Sequence, residues 1–179
     1  MMPTDIIDKY YPKNDDLHKI LVSHSFAVAD KALAIARLHP EMQLDSLFIY
    51  EAAILHDIGI FKTNAPEIYC FGAFPYICHG YLGSDILKAE NRPSHALVCE
   101  RHTGTGLSKA YIMENNLPLP QRDMAPVSLE EQIICFADKF FSKTHPGKEK
   151  TADKVRKNLA KYGTDSVNKF DEWYEMFLA

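Results

Sequence analysis

The sequence predicts an all-α domain of about eight helices. Three observations carry this. Apolar residues recur at three- and four-residue spacing, as in Ile20, Leu21, Val28, Leu33, Ile35 and Leu38, which lines one face of a helix. Prolines and glycines fall between such stretches or at their starts. No segment gives a convincing strand, a repeat, a linker or a low-complexity run.

Each element follows in order. The first helix spans about 16–38 and stops before Pro40. The second begins at Asp45 or Ser46 and runs through "AAILHDIGIF" to Gly59, a glycine stop. Residues 61–78, "FKTNAPEIYCFGAFPYIC", contain two prolines, one glycine and five aromatics, and read as an ordered loop. A third helix covers about 79–90. Pro93 sits in the first turn of a fourth, which runs to about Thr103, where "TGTG" ends it. Residues 108–116 form a short helix, and "LPLPQRDMAP" is a loop. Ser128 and Glu131 make an S-x-x-E capping box ahead of "QIICFADKFFSK", and "HPG" at 145–147 breaks that helix. Two last helices, about 151–162 and 165–178, flank Gly163; Trp173, Tyr174 and Phe177 at helical spacing predict a cap on the domain or a homodimer contact.

Composition narrows the function classes. The 179 residues are 46% hydrophobic and 25% charged, the balance of one globular domain over 1–179. A net charge of −4 gives no global reason to expect nucleic-acid or membrane binding. The four cysteines, Cys70, Cys78, Cys99 and Cys135, form no C-x-x-C pair, and the N-terminus has no apolar core of a signal peptide. The expectation is a cytoplasmic protein with reduced thiols.

"AAILHDIGIF" raises the chemical question. His56 and Asp57 are adjacent in an apolar stretch, and burying both is costly unless something satisfies them. His24, His79, His102 and Asp138 lie in other predicted helical segments. Taken singly, each histidine reads as a hydrogen-bonded structural residue, and Asp138 as an exposed acid or a lysine partner. Taken together, they form a set that a divalent cation would satisfy, in the way helical bundles build metal sites from inward-facing ligands. His18, His39, His95 and His145 read as surface or local-structure residues.

The order His, His-Asp, His, His, Asp resembles the HD-domain superfamily of metal-dependent phosphohydrolases. "HDIG" at 56–59 is the form that names one of its subgroups, and the upstream "HSFAVA" and downstream "ADK" add to the likeness over about 17–143. The "HG" and "RHTG" segments are also similar to symmetrical diadenosine tetraphosphate hydrolases. The resemblance gives the HD core as about 17–143, and residues 151–178 lie beyond it as the expected capping helices. It implies that His24, His56, Asp57 and Asp138 hold one metal ion. His79 and His102 match members with two, where Asp57 bridges both. It implies two divalent transition-metal ions (iron, manganese, nickel, cobalt or zinc), a hydroxide between them as nucleophile, and a small phosphorylated substrate such as a nucleotide. An HD-fold di-iron oxygenase and a non-catalytic nucleotide sensor are the other readings.

Candidate substrate contacts are Lys62, Arg101 and Lys139, each of which has a surface or neighbouring-residue alternative. Many relatives carry a basic residue directly after "HDIG", where this chain has Ile60. The aromatic residues Tyr69, Phe71, Phe74 and Tyr76 read either as a lid or as loop packing.

Overall fold

Pro3–Tyr10 (α1), in a stretch that the apolar pattern leaves unassigned, is a helix in the computed structural model, which describes residues 2–179. Pro3 opens it, and the Asp5 carboxylate accepts the Met2 amide at 2.9 Å. It buries Pro3, Ile6 and Ile7, with two apolar side chains beyond the opening proline too few to mark a periodicity, and the buried Tyr11 behind it donates its hydroxyl to the Ile58 carbonyl at 2.7 Å.

Asp16–Leu38 (α2) buries Leu21, His24, Ser25, Val28, Ala29, Ala32, Ile35 and Ala36. That stripe is mostly small, so Ser46–Leu55 (α3) packs closely on it. Asp45 caps α3 by accepting the Phe48 amide at 2.9 Å. Ile49, Ala52, Ala53, Ile54 and Leu55 are all fully buried, which makes α3 the central helix. It ends at Leu55, four residues before the expected glycine stop. Gly59 has φ −84°, an ordinary helical value, so backbone freedom is not its purpose. A Cβ there would stand 2.2 Å from the His79 carbonyl oxygen and 2.5 Å from the Gly83 nitrogen. Gly59 is the seat for the next helix.

The 61–78 loop corrects the strand-free expectation. Thr63–Ala65 (β1), Cys70–Phe71 (β2) and Phe74–Pro75 (β3) form a small sheet in the order β2-β1-β3. β1 and β2 are antiparallel, with Asn64 opposite Phe71; β1 and β3 are parallel, with Thr63 opposite Phe74. Strands of two or three residues are too short to show alternation.

His79–Ala89 (α4) and Pro93–Arg101 (α5) pack tightly, with Gly83 against the Cys99 sulfur and Gly80 against the Cys99 carbonyl. Lys109–Glu114 (α6) is a short helix capped by Ser108. Leu129–Asp138 (α7) starts at Ser128, whose Oγ accepts the Glu131 amide at 3.1 Å. The capping box is only half formed, because the Glu131 carboxylate takes the Val127 amide and Arg101 instead. α7 stops at Asp138, well before "HPG". Beyond it, Lys150 Nζ donates to the carbonyls of Lys139 and Phe141, so the chain turns back on itself.

Ala152–Leu159 (α8) and Thr164–Phe177 (α9) follow, with Gly163 at φ +98° between them. α9 covers α7: Phe170, Trp173 and Phe177 are buried around Phe136, and the Trp173 indole donates to Gln132 Oε1 at 2.9 Å. Trp173 and Phe177 are therefore spent inside the chain rather than offered to a second copy. Nine α-helices are present among the described residues, one more than expected, and the all-α class holds. No helix of the described residues is long and apolar enough to cross a membrane. The four cysteines are buried free thiols.

Candidate metal centre

Five helices deliver six ligand-type residues to one place. His24 lies on the buried stripe of α2, and His56 closes α3 with Asp57 following it. His79 begins α4, His102 closes α5 and Asp138 ends α7. Helix ends suit this purpose, because the backbone there has few helical neighbours to obstruct a side chain turned toward the bundle axis.

Three of the rings are aimed in the same way. His56 Nδ1 lies 2.7 Å from the Ala53 carbonyl, His79 Nδ1 2.6 Å from Tyr76, and His102 Nδ1 2.7 Å from Cys99, each carbonyl three residues back. A carbonyl only accepts, so Nδ1 carries a proton and Nε2 is the atom turned inward, free to ligate once it carries none.

Asp57, fully buried, faces both sides of the cluster. Its Oδ2 is 3.3 Å from His24 Nε2 and 3.1 Å from His56 Nε2; its Oδ1 is 3.4 Å from His79 Nε2 and 3.3 Å from His102 Nε2. Asp138 Oδ1 completes the first side, 2.9 Å from His24 Nε2 and 3.4 Å from His56 Nε2. The set thus divides into His24, His56, Asp57 and Asp138, and Asp57, His79 and His102, each with ligand atoms within 4.8 Å of one another. Both groups share Asp57.

Protein groups alone leave this cluster incompletely satisfied. His56 Nε2, His24 Nδ1 and both Asp57 oxygens are buried without a hydrogen bond. His79 and His102 point Nε2 at Nε2, 3.0 Å apart. Burial drives the His79 pKa down to about 3 and lowers that of His102, so both rings are neutral donors of electron pairs. Burial would also discharge His56, but Asp57 and Asp138 outweigh it and raise its pKa to about 10. Burial opposes charge on the two aspartates as well. His56 and Lys143 nevertheless hold Asp57 well below the usual carboxylate range, and Lys139, His24 and His56 do so for Asp138. Buried carboxylates and inward imidazole lone pairs fit a divalent ion of the transition series, whose charge would replace the His56 proton.

The expected substrate contacts separate. Lys139 Nζ donates to the His102 carbonyl and to Asp138 Oδ2, both at 2.8 Å, and lines the cavity over the cluster. Arg101 is held by both oxygens of Glu131 at 3.0–3.1 Å, and Lys62 closes a single helical turn; neither lines that cavity. Sequence reasoning missed Lys143, whose Nζ reaches Asp57 Oδ2 at 2.6 Å as an ion pair without hydrogen-bond angles. It was hidden because residues 139–143 read as a continuing helix, and only the turn after Asp138 brings this lysine inward.

The cavity over the cluster holds about 320 Å³ and is lined by His79, His102 and Asp138 below and by Lys139, Lys143, Lys150 and Lys161 around. Tyr76 stacks on the His79 ring at 4.7 Å between centroids. Of the four candidate lid residues of the loop, Tyr76 lines the cavity, alongside Glu67 and Ile68, while Tyr69, Phe71 and Phe74 face solvent at 48%, 74% and 42% exposure. His18 pairs with Asp8, His39 with Glu41 and the Phe177 carbonyl, His95 with Glu51, and His145 with Thr144; all four lie outside the cluster.

The sequence profile of the HD domain family matches residues 21–142. An uncharacterized protein of Methanocaldococcus jannaschii is 34% identical over 121 residues, 66% of this chain and 64% of that protein. A tRNA (cytidine(56)-2'-O)-methyltransferase of Picrophilus torridus is 30% identical over 131 residues, 73% of this chain and 34% of the enzyme. The chain therefore spans less than two thirds of the first relative and about a third of the second. Among solved structures, the HD domain of the phosphodiesterase PgpH of L. monocytogenes superimposes with a TM-score of 0.54 at 18% identity, covering 95% of this chain and 93% of that one. The same domain in complex with cyclic-di-AMP gives 0.54 at 16% identity. At such identities the likeness is one of fold.

Proposed function

The chain belongs to the HD domain family, and from that premise we propose that it is a metal-dependent phosphohydrolase acting on a nucleotide or another small phosphate ester or anhydride. The observation that carries this is the pair of ligand groups sharing Asp57 beneath a lysine-lined cavity. His24, His56, Asp57 and Asp138 would hold one ion, and Asp57, His79 and His102 a second. Ions held there would supply Lewis acidity, polarising phosphoryl oxygens and lowering the pKa of a water toward neutrality.

The chain's own groups do the rest. Lys139 and Lys143, held at the rim by Asp138 and Asp57, offer cationic donors to phosphoryl oxygens. Tyr76 fixes the plane of the His79 ring and closes one wall against water. Arg101 is tied to Glu131, so its role in this reading is to brace α5 against α7 rather than to touch substrate. Lys62, outside the cavity, has no substrate role in it either. The cyclic-di-AMP complex of the PgpH domain supports a nucleotide as ligand. His56–Gly59 keeps the HDIG form, and residues 1–179 are read as one HD unit with α8 and α9 as its cap.

Elemental analysis of chain purified without chelator tests the centre, with about two transition-metal ions per chain expected. A screen of nucleoside monophosphates, diphosphates and diadenosine tetraphosphate with manganese or iron then reads the reaction. A loaded centre that hydrolyses none of them, or a mixed-valent iron pair, would overturn the phosphohydrolase reading.

A further inference from the structure

Positive charge is unevenly placed along this chain. Residues 139–161 hold eight lysines and arginines against two acids, in a protein whose net charge is −4. Four of those lysines ring the cavity over the metal cluster. Next to it lies a second cavity of about 450 Å³, which shares Ser142 and Lys150 with the first and adds His145, Lys148, Glu149, Thr151 and Lys154.

The acids of the segment do not neutralise these lysines. Glu149 is held by Lys31 and Asp153 by Arg156. Among the described residues no carboxylate pairs with Lys148, Lys150 or Lys154. Lys150 is fixed in place by the carbonyls of Lys139 and Phe141, which positions its ammonium group between the two cavities. Thr151 caps α8 through the Lys154 amide, so the second cavity opens at the positive end of that helix. Three lysines share this cavity with one carboxylate, Glu149, which is already taken by Lys31; such an excess of like charge raises the energy of the free protein, and an anionic ligand relieves that cost.

We propose that Lys148, Lys150 and Lys154 form a second phosphate subsite beside the metal centre, so that the substrate carries at least one phosphate besides the one attacked. This deepens the phosphohydrolase reading and rests on it for the word substrate. The subsite itself is a property of the lysines.

Calorimetric titration of the full chain, dialysed free of divalent ions, with inorganic phosphate and with inorganic tripolyphosphate tests it. Metal-free protein is used because tripolyphosphate binds divalent ions. Wild type should bind tripolyphosphate about tenfold more tightly than phosphate or better. The double variant K148Q/K154Q should lose about tenfold on tripolyphosphate and about twofold or less on phosphate. The charge-matched variant K88Q/K157Q, at exposed positions outside both cavities, should stay within about twofold of wild type. Equal losses in the two double variants, an unchanged K148Q/K154Q, or no preference in wild type would overturn the subsite. Failure of the metal-loaded chain to hydrolyse any phosphate compound would instead remove the phosphohydrolase reading and leave this result standing.

Discussion

The two faces of α7 are built on opposite principles. Toward α9, Phe136 meets Phe170, Trp173 and Phe177 in an aromatic core, and the indole nitrogen has its partner in Gln132. Toward α2, the same helix ends in Asp138, beside His24, His56 and a buried Asp57 whose oxygens make no hydrogen bond. The aromatic side is satisfied by the chain alone and carries stability. The ligand side is left short of hydrogen-bond partners, although Lys139 and Lys143 lean into it. A fold that keeps such a deficit at its centre is organised around something the chain does not itself supply.

Substitutions on the two faces should separate these roles. The largest effect belongs to Asp57→Asn, which keeps the shape and removes the charge shared by both ligand groups. Metal content should fall from about two ions per chain to below one, and hydrolysis by more than about 100-fold, beyond what losing a partner of a ligand costs. Full metal content in that variant would break the comparison at once.

Trp173→Ala works on the other face. Removing a fully buried indole should destabilise the chain by about 3–5 kcal/mol in urea unfolding. Metal per folded chain should stay unchanged. A metal loss matching the stability loss would mean that the two faces are one cooperative structure and not two.

The smallest effect sharpens the stability side alone. His39 accepts its raised pKa from the Phe177 carbonyl and then from Glu41, which places it at the end of α9 and away from the ligands. A group whose pKa is raised on folding stabilises below its unfolded pKa, about 6.5, and loses that contribution as pH climbs through the folded value. Wild type should therefore exceed His39→Gln in stability at pH 5.5 by more than at pH 8.5, with metal content equal in both. The same difference at the two pH values would remove His39 from the account.

Much of the centre was legible in the chain. His24, His56, Asp57, His79, His102 and Asp138 stand out because ionisable side chains in apolar helical segments need a common reason to be buried. The helices from α2 onward were legible from spacing, from the start at Asp45 or Ser46 and from the Ser128 cap, while the caps at Ser108 and Thr151 are seen in the structure. α1 was not, because two buried isoleucines make no period, and neither was the small sheet at 63–75.

Local sequence determined the class of fold, which follows from residue type and near-neighbour spacing, and it offered the six candidate ligands through the order of the motifs and the family resemblance they carry. Tertiary structure decided which cations reach the centre. Lys62, Arg101, Lys139 and Lys143 look alike as letters. Only the stop of α7 at Asp138 and the fold of 139–150 back onto it separate them, turning Lys139 and Lys143 inward while Glu131 holds Arg101 away. It also gave Gly59 its meaning, because the contact that forbids a Cβ there comes from α4, twenty residues on and more. Long-range contacts of this kind are fixed by packing, and packing is not written in spacing.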